Sequence, residues 1–336
     1  MFFLILFGGG FFAWKFIFRS NIIFNEKNES FLYIPKNTDF DGLIKILEEK
    51  NFVHDITSFS WYAQRLHLQD CIHPGKYRLT KGMSNRQFIK MLKQGKEEKV
   101  SLTINYTIRT LPQLYEKLCG KFNINETAIS SFTQNEELLE KKFDVNPNTL
   151  ATIIHPGKYE LSWATEIEDF FDFMFQIDSA FWNSEKKVKL KKFSLDKGQV
   201  LTLASIVYCE SNIESEQRKI AGVYMNRLKE NMLLQADPTV IYALNDFSIQ
   251  RLSFNDLKVD SPYNTYKYKG LPPGPVSFPS EISILSVLNY EKSNYLYFCA
   301  KPELNGYSNF SSTYEQHLQY AEMYRKALNK RGIRRN

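Results

Sequence analysis

The chain has 336 residues, with 43 Lys and Arg against 37 Asp and Glu for a net charge of +6, and 15% of it is aromatic. That length suggests about two domains, while 43% hydrophobic residues with 15 Gly and 12 Pro exclude a mainly disordered or collagen-like chain. A mean hydropathy of -0.37 excludes a polytopic membrane protein, and an excess of six charges is by itself too small to argue for nucleic acid, since a phosphate-binding footprint needs clustering rather than a modest sum.

Met1 to Phe18 is apolar throughout except for Lys15. As a helix it would reach roughly 27 Å, barely a bilayer core, with Lys15 near the end where its stem can snorkel. The start is not basic and no small-x-small cleavage site follows, so residues 1–20 are expected to form an uncleaved transmembrane anchor. Taken alone, Lys15 and Arg19 after the span would place the rest of the chain in the cytoplasm.

Residues 21–30 form a polar tether, and Phe31-Leu-Tyr-Ile-Pro reads as a strand ending at Pro35. Apolar residues at helical spacing (Leu43, Ile46, Leu47, then Phe59, Tyr62, Ala63, Leu66) predict two helices. His73-Pro-Gly-Lys-Tyr leads into a strand, and a turn at Lys81-Gly82 into a third helix over 87–93. This is a small α+β module. The pentapeptide recurs at His155 to Tyr159 and again precedes a helical run, Ile167 to Phe175. Both histidines precede proline and are expected to be loop residues rather than catalytic or metal-binding ones.

Between the two copies, Val100 to Arg109 alternates as a strand and Leu114 to Leu118 begins a helix. The five lysines of Lys186 to Lys192 read as a solvated face. Cys71, Cys119, Cys209 and Cys299 show no C-x-x-C and no metal-like spacing with the five histidines, and are expected to be small buried hydrophobes.

Chemistry concentrates after residue 199. In QVLTLASIVYCES, Leu203, Ile206 and Val207 define an apolar stripe and Glu210 continues it at i+7. A carboxylate there is costly unless paired or protonated. It is either a general acid with a raised pKa or half of a buried ion pair with Arg218 or Arg227. A second helix, IAGVYMNRL, is expected to be capped by Ser215, with Arg227 able to grip a carboxylate bidentately. Asp237-Pro238 reads as a turn or as a helix N-cap with its first residue.

Gly270 to Pro275 is almost entirely Gly and Pro, so the loop is stiff. With Tyr263, Asn264 and Tyr266 beside it, it is suited to lining a groove for sugars, which also accounts for part of the aromatic excess. Tyr295 to Ala300 reads as a buried strand and Tyr314 to Leu328 as a closing helix.

LASIVYCES, AGVYMNRLKENMLLQADPTVIYAL, SPYNTYKYKGLPPGPVSFPS and YLYFCA…GYSNFSSTYEQHL, in this order, resemble the endolytic murein transglycosylases, or YceG-like family. The resemblance continues more faintly back to Phe31. It implies an α+β protein with a transmembrane anchor at 1–20, a LysM-like module at 21–99 and a YceG-like catalytic domain at 100–330. The implied activity is cleavage within nascent peptidoglycan glycan strands on the outer side of the cytoplasmic membrane, leaving 1,6-anhydro ends and limiting strand length. The alternative reading is a membrane-anchored peptidoglycan-binding scaffold with weak or no catalysis.

The family's catalytic glutamate matches Glu210. Gln235, Asp237 and Thr239 match its LQ-x-DPT segment, and Ser261, Tyr263, Asn264 and Thr265 its SPYNT segment; all seven are expected to line the glycan groove. Asp237 or Asn264 would position sugar or stabilise oxocarbenium charge. Two residues depart from the pattern: Tyr208 replaces a usually acidic residue, and Ser308 a histidine in G-x-H-x-F. No cofactor or metal is implied. Partners are glycan strands and, in the family, cell-wall synthases, with no nucleic acid.

Overall fold

The computed structural model describes residues 14, 17–24, 30–105 and 107–330. The anchor expected over 1–20 lies largely outside these residues. Among the described residues no helix is long and apolar enough to cross a membrane.

The first elements are β1 (Phe31–Ile34), α1 (Phe40–Glu49), α2 (Ile56–Arg65), β2 (Gly75–Arg78), α3 (Asn85–Lys93) and β3 (Val100–Ile104). Then follow α4 (Leu111–Cys119), α5 (Glu126–Thr133), α6 (Glu136–Phe143), β4 (Gly157–Leu161), α7 (Ile167–Phe181) and α8 (Ser184–Lys191). The remainder comprises α9 (Lys197–Glu210), α10 (Glu214–Lys229), α11 (Asp237–Leu244), α12 (Glu281–Leu288), β5 (Tyr297–Ala300), β6 (Ser308–Ser311) and α13 (Tyr314–Lys330). Three two-stranded sheets form, β1–β2, β3–β4 and β5–β6, so the fold is mixed α+β.

The described residues form two compact units: those up to 102 with 117–126 and 158–169, and those within 103–116, 127–157 and 170–330. In the first unit β1 pairs antiparallel with β2, Phe31 opposite Arg78 and Ile34 opposite Gly75. Leu32 and Ile34 point inward against Leu43, Leu47, Phe59, Phe88 and Leu92. Each helix starts where a side chain meets an orphan N–H: Asp39 accepts from Gly42, Asp55 from Ser58, and Ser84 and Gln87 form a capping box. Both HPGKY copies enter strands at their glycines, as the turn chemistry predicts.

The strand expected over 100–109 stops at Ile104. Asn105 ends it by accepting the Thr107 N–H on its side chain and the Ile108 N–H on its carbonyl, an Asx turn that competes with the ladder.

In the second unit α9 is the central element. Every residue from Val200 to Val207 is buried, so this helix is enclosed on all sides rather than presenting the single stripe expected from Leu203, Ile206 and Val207. α12 packs on it, and Ser205 fastens the loop that leads to α12. Its hydroxyl accepts the Val276 N–H at 2.9 Å, and Ser277 Oγ donates to the Ser205 carbonyl at 3.0 Å.

The lysine run lies on α8, which buries no residue. His155 is a buried loop residue whose Nε2 lies 3.1 Å from Asp178 Oδ1. Trp182 Nε1 and Lys197 Nζ donate to the same carboxylate. Three expectations are corrected. The strand around Tyr297 is half-buried rather than buried, because it pairs only with β6. The four cysteines are likewise half-buried, and all are free. α10 begins at Glu214 with Ile213 before it, so Ser215 falls inside the first turn and is not the cap.

Candidate active site

Glu210 is the last residue of α9, and the chain turns away at Ser211. Its carboxyl group therefore sits at the negative end of a helix dipole. The Tyr224 hydroxyl, from the middle of α10, donates to Glu210 Oε1 at 2.8 Å. Tyr224 is itself buried, its ring meeting Phe298 edge-on at 5.8 Å. Burial pushes the Glu210 carboxyl up to about 7, and the Asp237 charge pushes the same way; the Tyr224 hydrogen bond and the Arg227 charge oppose them.

Arg227 does not clamp a carboxylate. Its Nε donates to the Leu296 carbonyl at 2.7 Å and its Nη1 to the Leu234 carbonyl at 2.8 Å, while the guanidinium lies 5.3 Å from the Tyr297 ring centre. It thereby ties β5's entry to the segment before α11, and acts on Glu210 only through space. Arg218 pairs with Glu214 on the surface of α10. Among the described residues Glu210 has no ion pair, which removes the buried-pair alternative.

Asp237 opens α11 but does not cap it; the preceding residue is Ala236, and no side chain closes the helix start. The exposed Asp237 carboxylate instead accepts from the Tyr266 hydroxyl. Gln235, also exposed, has a left-handed backbone (φ 49°), a conformation that costs about 1–3 kcal/mol for a non-glycine residue and often marks functional sites. Its N–H donates to the Thr265 carbonyl at 3.1 Å.

The seven residues expected to line a groove divide into two groups. Gln235 and Asp237 are exposed, and Ser261 and Tyr263 are partly so, with the Tyr263 ring 4.7 Å from that of Tyr242. Thr239, Asn264 and Thr265 are buried. Thr265 Oγ1 accepts the Ala236 N–H at 3.0 Å and lies 2.8 Å from Thr239 Oγ1, which donates to the Ala236 carbonyl. Asn264 Nδ2 donates to the Leu257 and Val259 carbonyls, and its Oδ1 accepts from the Tyr266 N–H. These three residues brace the loops that carry Gln235, Asp237 and Tyr266; their own polar atoms face protein.

The Gly-Pro loop is held just as closely, since a Cβ on Gly274 would lie 2.4 Å from the Asn148 carbonyl oxygen. The Ser308 N–H donates to buried Glu216 at 2.7 Å, which anchors the start of β6. Sequence reasoning missed Tyr224. A mid-helix tyrosine among apolar residues needs a hydrogen-bond partner when buried, and that was the available signal.

The arrangement joins a proton-carrying carboxyl near neutrality, a neutral donor fixing one of its oxygens, and an exposed second carboxylate on the next helix. That is the equipment for proton transfer to a bound oxygen with a nearby charge to meet developing positive charge.

A family model described as the YceG-like family matches residues 32–323. The chain is 28% identical over 313 residues to an endolytic murein transglycosylase of Bacillus subtilis, covering 89% of this chain and 85% of that protein. It is 28% identical over 332 residues to one of Streptococcus pneumoniae, covering 89% of this chain and 60% of that longer protein. A crystal structure of a yceG-like protein from Listeria monocytogenes matches with a TM-score of 0.58 at 28% identity, over 88% of this chain and 99% of that one. With this match over most of its length, the chain belongs to the YceG-like family.

Proposed function

We propose that this chain is a lytic transglycosylase that cuts the MurNAc–GlcNAc bond inside peptidoglycan glycan strands. The enzyme class follows its relatives, which are named endolytic murein transglycosylases. The observation that carries the mechanism is the Glu210 carboxyl, pushed up to about 7 and held by Tyr224.

Protonated Glu210 gives its proton to the glycosidic oxygen as the C1–O bond breaks. Asp237 stabilises the positive charge growing on the ring. The resulting Glu210 carboxylate then takes the proton of the muramyl C6 hydroxyl as that oxygen bonds to C1. The products are a 1,6-anhydro end and a free GlcNAc hydroxyl; no water is consumed and no second nucleophile is needed. One carboxyl serving in turn as acid and base distinguishes this scheme from the two-carboxylate glycosidases, and intramolecular attack gains from proximity.

Gln235, Ser261, Tyr263 and Tyr266 form the sugar-facing surface. Thr239, Asn264 and Thr265 keep it in shape. Residues 1–20 anchor the chain in the cytoplasmic membrane with the catalytic domain outside, the module at 21–99 is LysM-like, and cell-wall synthases supply the emerging strands. Cells whose only copy is Glu210→Gln should accumulate longer strands than wild type. Unchanged strand length would instead favour the scaffold reading, which the Ser308 replacement motivates.

A further inference from the structure

At the end of α9 that carries Glu210 lies a cavity. It holds about 140 Å³ and is lined by Ile108, Arg109, Tyr208, Cys209, Asn212 and Ser277, with Phe278 at its wall. Small-molecule pockets usually run to about 300 Å³ or more, so this one suits a substituent rather than a pyranose ring. Arg109 is the sole charged side chain among these lining residues.

Its guanidinium lies 5.4 Å from the Phe247 ring centre, a contact that restrains the plane of the fork. Tyr208 and Asn212 add neutral hydrogen-bonding groups, and both retain exposure, so a ligand can reach them. Tyr208 and Cys209, which line the cavity, immediately precede Glu210 at the end of α9. A planar, permanently charged fork in a small, partly apolar cavity is matched to a carboxylate.

We infer that Arg109 binds a carboxylate of the muramyl substituent, and so selects which strands reach Glu210. This rests on the transglycosylase reading for the identity of the substrate. Two sources share the chemistry: the lactyl carboxylate of a stem-free muramyl residue, and a carboxylate of the stem peptide.

The test uses the full chain in detergent with three glycans: strands with intact stems, strands whose stems an amidase has removed, and strands with every carboxyl converted to a methylamide. Arg109→Gln should raise KM about tenfold or more on at least one carboxylate-bearing glycan, with kcat little changed. On the methylamide glycan it should match wild type, and Arg109→Lys should recover part of the loss. A penalty on stem-free strands assigns the lactyl carboxylate; a penalty confined to stemmed strands assigns the peptide. Equal KM values for Arg109→Gln and wild type on every glycan, or the same penalty on the methylamide glycan, would overturn the inference. Sedimentation binding of the same glycans to Glu210→Gln, with and without Arg109→Gln, reads the carboxylate contact even if wild type cleaves none of them, a result that would count against the enzyme reading alone.

Discussion

The Tyr224 hydroxyl donates to Glu210 Oε1 at 2.8 Å, reaching from the middle of α10 to the final residue of α9. A donor favours the ionised carboxylate, so this bond holds the acid down while burial and Asp237 hold it up. The opposition brings the carboxyl to about 7, where one group can both give and take a proton.

Tyr224→Phe removes the donor, and the Glu210 pKa rises further. The alkaline limb of kcat/KM, where the acid is lost, should move to higher pH by up to about one unit. Full pH–rate profiles on purified glycan measure it. A limb that stays put or moves down would contradict the arrangement.

Asp237→Asn keeps an acceptor for Tyr266 but removes the charge that raises Glu210. The same limb should move to lower pH. Asp237 is exposed, so the shift should be small and should shrink as salt rises. Profiles at low and high salt, compared with wild type, check both the direction and the screening.

Stability reports the same raised acid independently of activity. The folded Glu210 pKa of about 7 exceeds the ordinary value of 4.5, so the native state binds more protons between those values. Wild-type stability should therefore fall as pH rises through that window, by a total on the order of 3 kcal/mol. Glu210→Gln, neutral throughout, should match wild type near pH 4 and exceed it near pH 8. Urea unfolding at a series of pH values reads the gap; parallel curves would count against the raised acid.

Gly222 on α10 lets the 290s segment approach, since a Cβ there would lie 2.4 Å from the Glu291 carbonyl oxygen. Gly222→Ala should cost about 1–3 kcal/mol. Activity should fall with it, because that segment continues to the Leu296 carbonyl that holds Arg227. Gly198→Ala, whose Cβ would make only an ordinary 3.4 Å contact with Asp196, is the control and should be neutral or stabilising by up to about 1 kcal/mol. Thermal unfolding separates the two.

Glu210 was legible because a carboxylate continuing an apolar run at i+7 is physically conspicuous, even though α9 turned out to be buried all round. Helices with a polar face and a capping residue, such as α1 after Asp39 and α3 after Ser84, were equally legible. α12 was not, because Glu-Ile-Ser-Ile-Leu-Ser-Val-Leu is too apolar to show a period. The roles of Arg227, Thr239, Asn264 and Thr265 depend on backbone carbonyls and N–H groups brought together only by the fold, so residue type alone suggested a carboxylate clamp for Arg227 and groove-lining contacts for the other three where there are braces. Arg109 lies about one hundred residues before Glu210 and shares no motif with it.

The most direct test of the central claim is mass spectrometry of the glycan ends released by wild type and by Glu210→Gln. Wild type should yield fragments ending in 1,6-anhydro-MurNAc, and Glu210→Gln should yield essentially none. Reducing MurNAc ends from wild type, or anhydro ends undiminished in Glu210→Gln, would contradict it.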